Sequence, residues 1–262
     1  MPGALYRFEA DRFHPGDLTV GPWSPDAQHG GPVAALLART VEAVPAPGPM
    51  QVVRLTVELL RPVPLLPLAV TAAVSRPGKR VQLVDASLTA DGTEVARARA
   101  LRIRVAPVDV PKQEPSPPSP ALPKAGPGRE SGPQRTAFAD AVDLRFVKGS
   151  WDELGPATLW SQLVVPVVDG EVPSPLQRVA AAADFGNGVS RIVDFDSHVF
   201  INADLTIALS RLPVGEWIGF DVVTRLSGDG YGQAESLIFD GDGPVGRAVQ
   251  SLFLDSRAGP AD

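Results

Sequence analysis

Asp184, Asn202 and Gln250 stand out because the chain holds a second copy of itself in which their counterparts are apolar or missing. Leu55-Thr56-Val57-Glu58-Leu59-Leu60-Arg61-Pro62 returns as Leu205-Thr206-Ile207-Ala208-Leu209-Ser210-Arg211-Leu212-Pro213. Asp91-Gly92 followed by Val95-Ala96-Arg97-Ala98 returns as Asp240-Gly241 followed by Val245-Gly246-Arg247-Ala248. The first match and the Val95–Ala98 match lie at an offset of 150 residues, with the Asp-Gly pair at 149, too long for a solenoid unit and suited to a duplicated domain. At that offset Asn202 answers Val52 and Gln250 answers Ala100, and the first helix offers no carboxylate like Asp184. A carboxylate can take up a proton, and an amide can both donate and accept a hydrogen bond.

Each residue has a position to be explained. Asp184 follows Val179 to Ala183 near the negative end of an apolar helix, where desolvation and the helix dipole would push its pKa upward, as suits a base. By position alone it reads equally as a solvated helix end. Gln250 shares strand parity with Ala248, Leu252 and Leu254, and a buried amide on such a face calls for a function. Strict alternation groups Asn202 with His198, Asp204 and Thr206, opposite Ile201, Ala203, Leu205 and Ile207, which points it to solvent. Only a bulge or a strand end would turn it inward.

Other motifs are set aside. His29 lies beside Gly30 and could reach a site there, but a lone histidine at a helix start reads as a cap or a surface residue; His14 and His198 read as structural. Gly241-Asp242-Gly243-Pro244-Val245-Gly246 matches the spaced glycines of a dinucleotide loop but joins two strands and opens no helix. There is no Gly-x-Ser-x-Gly elbow, phosphate loop or His-Glu-x-x-His. The absence of cysteine excludes disulfides, cysteine nucleophiles and thiolate metal sites.

The elements that must position these residues repeat as well. Each copy reads as an N-terminal strand, one apolar helix and four strands. In the first copy the helix spans 31–41, with Pro32 in its first turn, and strands follow at about 51–60, 67–75, 80–90 and 94–105. In the second, Ser174 caps a helix that starts at Pro175, runs to about Asp184 and is stopped by Gly186. Its strands fall at about 198–209, 216–227, 231–240 and 244–255. Both helices are apolar nearly all round, so the sheet must wrap them. The expected units are 1–106 and 137–262, joined by a Pro-rich linker over 107–136 that is expected to be exposed and mobile. A net charge of −6 opposes nucleic acid as a partner, and no run is long enough for a membrane span. With no signal-peptide layout at Met1-Pro2-Gly3-Ala4-Leu5-Tyr6, a cytoplasmic location is expected.

An antiparallel sheet curled round a buried helix, present twice, is the α+β double hotdog, an intramolecular pseudo-dimer. The chain resembles the acyl-CoA thioesterase II group of double-hotdog thioesterases. The resemblance is carried by Gln28-His29-Gly30-Gly31, Ala181-Ala182-Ala183-Asp184-Phe185, Asn202-Ala203-Asp204-Leu205 and Ala248-Val249-Gln250-Ser251. It implies a catalytic set of an acid on the second helix, a hydroxyl or amide on a strand and a glutamine on the last strand, which fall on Asp184, Asn202 and Gln250. Asp184 would be the general base, and Asn202 and Gln250 would hold the attacking water. Backbone N–H groups at Gly30 and Gly31 would polarise the thioester carbonyl. The resemblance implies an acyl-CoA substrate, no metal or cofactor, and further homo-oligomers of the unit. Two alternatives stay open: a non-catalytic acyl-thioester binding protein, and a hotdog enoyl-CoA hydratase or dehydratase. The hydratases use a close acid–histidine pair, for which the sequence shows no Asp-x-Asn-x-x-His arrangement.

Overall fold

A computed structural model of the chain describes residues 3–111, 116–124 and 137–257. In the first half, strands β1 (Tyr6–Glu9) and β2 (Arg12–Pro15) precede helix α1 (Gly30–Ala43). Strands β3 (Met50–Leu59), β4 (Leu68–Arg76), β5 (Val81–Ala90) and β6 (Thr93–Arg104) follow. The second half repeats the plan with β7 (Val142–Lys148), β8 (Ala157–Leu163), helix α2 (Pro175–Ala183) and a one-turn helix α3 (Gly186–Val189). It closes with β9 (His198–Asn202), β10 (Asp204–Leu209), β11 (Ile218–Leu226), β12 (Tyr231–Asp240) and β13 (Gly243–Ser256). Two short strands, rather than one, thus open each half.

The strands form one antiparallel sheet in the order β1-β2-β4-β5-β6-β3-β10-β13-β12-β11-β8-β7, with β9 added on β13. The expected two sheets are therefore joined edge to edge through β3 and β10. Across that seam Thr56 faces Thr206, Leu55 faces Ile207 and Val57 faces Leu205. Under the 150-residue repeat the first pair is its own image and the other two exchange, so the pseudo-twofold axis passes between Thr56 and Thr206, whose hydroxyls are 3.2 Å apart.

The helices lie under the curled sheet. Alternation on β5 sends Val84, Ala86, Leu88 and Ala90 inward against α1. Residues Gly31 to Ala38 and Val41 of α1 are all buried, as an apolar helix requires. The two helices pack antiparallel and close, with small residues at the contact. A Cβ on Gly31 would lie 2.5 Å from the carbonyl oxygen of Ala181. The N-cap residues sit tight on both helices: His29 Nδ1 lies 3.0 Å from the Gly31 nitrogen, and Ser174 accepts from the Gln177 N–H.

Three sequence expectations need correction. The second helix ends at Ala183, close to the expected Asp184, but Gly186 is not its terminator: Asp184 and Phe185 keep helical dihedrals and Gly186 opens α3. The segment 198–209 is not one strand but breaks at Ala203 into β9 and β10. And α1 extends to Ala43, so it does carry a carboxylate, Glu42, in its last turn. Of the linker expected over 107–136, residues 112–115 and 125–136 lie outside the described residues. Residues 116–124 form no helix or strand and are fastened at two points. Ser119 Oγ donates to the Asp240 carbonyl at 2.5 Å, and Arg145 Nη1 donates to the Pro123 carbonyl at 3.1 Å. No helix among the described residues is long and apolar enough to cross a membrane.

Candidate active site

The end of α2 brings Asp184 beside the start of α1, because the two helices run antiparallel with glycines at the crossing. A Cβ on Gly30 would lie 2.6 Å from Asp184 Oδ2, so only a bare backbone lets the carboxylate come this near. Asp184 is buried, 4% exposed, and faces a cavity of 780 Å³.

Two amides converge on one of its oxygens. Asn202 Nδ2 donates to Asp184 Oδ1 at 2.8 Å, and Gln250 Nε2 approaches the same oxygen and the Asp184 carbonyl at 3.3 Å each. Gln250 Oε1 accepts from the backbone N–H of Asn187 at 3.0 Å. A backbone N–H can only donate, so this bond fixes which way the Gln250 amide faces. It also explains Gly186, where a Cβ would sit 2.7 Å from Gln250 Oε1.

Asn202 overturns the parity expectation. It is buried together with Phe200 on β9, while on β10 the buried residues are Leu205, Ile207 and Leu209. The break at Ala203 shifts the alternation by one residue, turning Asn202 inward while Asp204 and Thr206 stay partly exposed. The first half carries the same device, with a register shift between Val52 and Arg54. The bulge belongs to the duplicated fold, and at the residue before it the first half has Val52 where the second has Asn202.

His29 is the residue that the sequence reading set aside. Its Nδ1 lies 2.8 Å from Asp184 Oδ2 and 3.0 Å from the Gly31 nitrogen. Its ring is gripped by Phe138 and Phe185, at centroid distances of 4.8 and 5.0 Å. Its backbone N–H donates to Thr19 O, and its neighbour Gln28 accepts from the buried Tyr6 hydroxyl at 2.6 Å. Burial holds the Tyr6 phenol well above its usual pKa, which keeps it a donor. The signal for His29 was its place directly before two glycines. Asn187 gave no signal, since it acts at Gln250 through its backbone.

The cavity walls are aromatic. Trp23 packs edge-on against Phe200 at 5.2 Å, Phe195 closes on both, and Trp151 meets Phe185 at 6.1 Å. Arg61 also lines the cavity. Its repeat partner Arg211 is neutralised by Asp240, with contacts of 2.5 and 2.6 Å. In the strands, Ala90 ends β5 where Asp240 ends β12, the neighbouring Asp91 lying in the turn, and Arg61 has no ion-pair partner among the described residues. Among those residues no cluster of three or more histidines and carboxylates could hold a metal ion.

The counterpart position in the first half is closed. Beside Ala100 on β6, the buried Arg102 donates to the carbonyl of Val44 at 2.7 Å, just past the end of α1, and to Gln82 Oε1 at 3.0 Å. The Glu42 carboxylate accepts from Ser174 Oγ at 2.7 Å and from Gln177 Nε2 at 3.1 Å.

Comparison with known proteins gives a consistent picture. Residues 19–103 match the family model for the acyl-CoA thioesterase N-terminal domain, and residues 109–254 match that for the acyl-CoA thioesterase C-terminal domain. No curated protein matches at a significant level. Among solved structures, a conserved protein of unknown function with a hot dog fold from Alicyclobacillus acidocaldarius superposes with a TM-score of 0.72 at 17% identity, covering 97% of this chain and 96% of its own. A protein from Novosphingobium aromaticivorans, described provisionally as a thioesterase, gives 0.72 at 22% identity over 97% and 100% of the two chains. An acyl-CoA thioesterase II, TesB2, from Mycobacterium marinum gives 0.66 at 16% identity over 98% and 96%. At these identities the superpositions show the shared fold alone.

Proposed function

The chain belongs to the acyl-CoA thioesterase family, and on that premise we propose that it hydrolyses an acyl-CoA to a carboxylic acid and CoA with a water activated at the site built around Asp184. The observation that carries this reading is the buried Asp184 carboxylate, facing the cavity with the Asn202 and Gln250 amides donating to one oxygen. The water oxygen attacks the thioester carbonyl carbon as its proton passes to the Asp184 cluster. The Gly30 N–H, at the start of the fourteen-residue α1, receives the developing oxyanion. The C–S bond then breaks, and the proton returns to the departing thiolate. Asn202 Oδ1, left free when both amide hydrogens turn to Asp184 Oδ1 and Asp204 O, is an acceptor that orients the water.

A second reading has one specific observation behind it. The close Asp184–His29 pair is the kind of acid–histidine arrangement that a hydratase uses to add water to an enoyl thioester. The test is thiol release from a panel of acyl-CoAs, short to long and including aromatic and branched chains, read with a thiol reagent. The chain has no cysteine of its own to react. Asp184→Asn should lower turnover by roughly 10²–10⁴-fold with substrate still bound. Loss of enoyl absorbance with no thiol released would replace hydrolysis by hydration. Binding with neither reaction would make the protein a carrier of acyl thioesters.

A further inference from the structure

We infer that the atom receiving the proton of the attacking water is Nε2 of His29, with Asp184 acting behind the ring as the group that orients it. The inference rests on the hydrolysis proposed above and assigns its proton acceptor.

The argument is one of proton positions. Nδ1 of His29 has two neighbours, Asp184 Oδ2 at 2.8 Å and the Gly31 N–H at 3.0 Å. A ring nitrogen either carries a hydrogen or presents a lone pair, so it cannot donate to one and accept from the other. If Nδ1 accepted from Gly31, its lone pair would point at a carboxylate oxygen, and the short contact would require a proton on Asp184. Yet Asn202 and Gln250 both direct N–H groups at that carboxylate, an arrangement that stabilises the ionised form. Nδ1 therefore carries the hydrogen and donates it to Oδ2.

Two consequences follow from that assignment. Nε2, at the far edge of the ring, is left with a lone pair and no protein partner among the described residues, on a side chain that lines the cavity. And the Gly31 N–H, whose nitrogen is 3.0 Å from Nδ1, loses that atom as an acceptor. Asp184 itself is poorly placed to meet water. Oδ1 already faces two amides, and Oδ2 lies between the imidazole and the Gly30 backbone. A ring fixed by two phenyl groups and one carboxylate, with its other nitrogen bare, is the orienter–base arrangement of nucleophilic hydrolases, here applied to water. In the step itself, the water O–H bond breaks as the C–O bond forms, and Nε2 takes the proton. The imidazolium then returns that proton to the thiolate sulfur as C–S cleaves.

The test begins with the tautomer, read from long-range ¹H–¹⁵N correlations of the neutral imidazoles. The chain has three histidines, so the His29 signals are identified by their loss in His29→Asn. The wild type should show His29 as the Nδ1–H tautomer, and Asp184→Ala should convert it to Nε2–H as Gly31 claims Nδ1. His29→Asn keeps a good helix cap. It should nonetheless lower kcat for thiol release by roughly 10²-fold or more with KM little changed. An Nε2–H tautomer in the wild type, or full turnover in His29→Asn, overturns the assignment. If the wild type releases no thiol from any acyl-CoA, the hydrolysis reading falls on its own and the tautomer still decides which nitrogen is bare.

Discussion

Gln250 shows how one side chain can hold a site together from behind. Its amide joins the Asn187 backbone N–H to the Asp184 carboxylate, and it is 1% exposed. Gln250→Leu keeps the size and removes both bonds, leaving a buried N–H without a partner. That should cost about 1–3 kcal/mol of stability, seen as a lower denaturation midpoint, and should reduce thiol release through the loosened carboxylate. A variant with wild-type stability and turnover would show that the amide does neither task. Gln250 was legible in the sequence because strand parity set it on an apolar face. Asn202 was not, because the shift at Ala203 reverses parity and alanine gives no sign of a break. His29 was visible as a residue type beside two glycines, but its contact with Asp184 spans most of the chain and is made only by the packing of α1 on α2.

The helix pair is the element on which the site depends, and its symmetry is informative. At each end of the contact, a carboxylate from the C-terminal end of one helix meets the N-cap residue of the other. Asp184 meets His29 at 2.8 Å, and Glu42 meets Ser174 at 2.7 Å. Burial raises the Glu42 pKa above 4.5, against the smaller opposing effect of hydrogen bonds from Ser174 and Gln177. The folded chain therefore holds this proton more tightly than the unfolded chain does. Stability contributed here is present at pH below 4.5 and is lost as the pH rises through the elevated value. Glu42→Gln should flatten that part of the stability–pH curve and leave the protein at least as stable at neutral pH, as thermal melts across the range would report. A melt whose pH dependence is unchanged would remove Glu42 from the account. The main helices and the longer strands were readable because each carries several periods of its pattern. The four-residue strands β1 and β2 were not separable, since so few residues cannot establish an alternation.

At the scale of the molecule, the seam between β3 and β10 and the α1–α2 contact make one core out of two repeats. Buried residues from both halves form a single hydrophobic cluster, from Leu5 and Val33 to Val245 and Ala248. Unfolding should accordingly be one cooperative transition, with calorimetric and van't Hoff enthalpies equal. Two resolved transitions would mean that the halves are independent bodies joined by a tether. The 150-residue offset read from the sequence reappears as the spacing of Thr56 and Thr206 across the seam, so the internal twofold is legible in the sequence itself. Which of the two equivalent positions holds the site was legible only as polarity. The closure of the other by Arg102 depends on a side chain reaching across to a helix end. Joining the halves in one polypeptide frees them from each other's mutations. In a dimer of identical chains every substitution is inherited twice, so an arginine that seals one site would seal both. Here Arg102 can stand opposite Leu252, and Ala90 opposite Asp240, each change entering one half alone. One polypeptide thus lets two copies of a fold differ position by position, as two identical chains cannot.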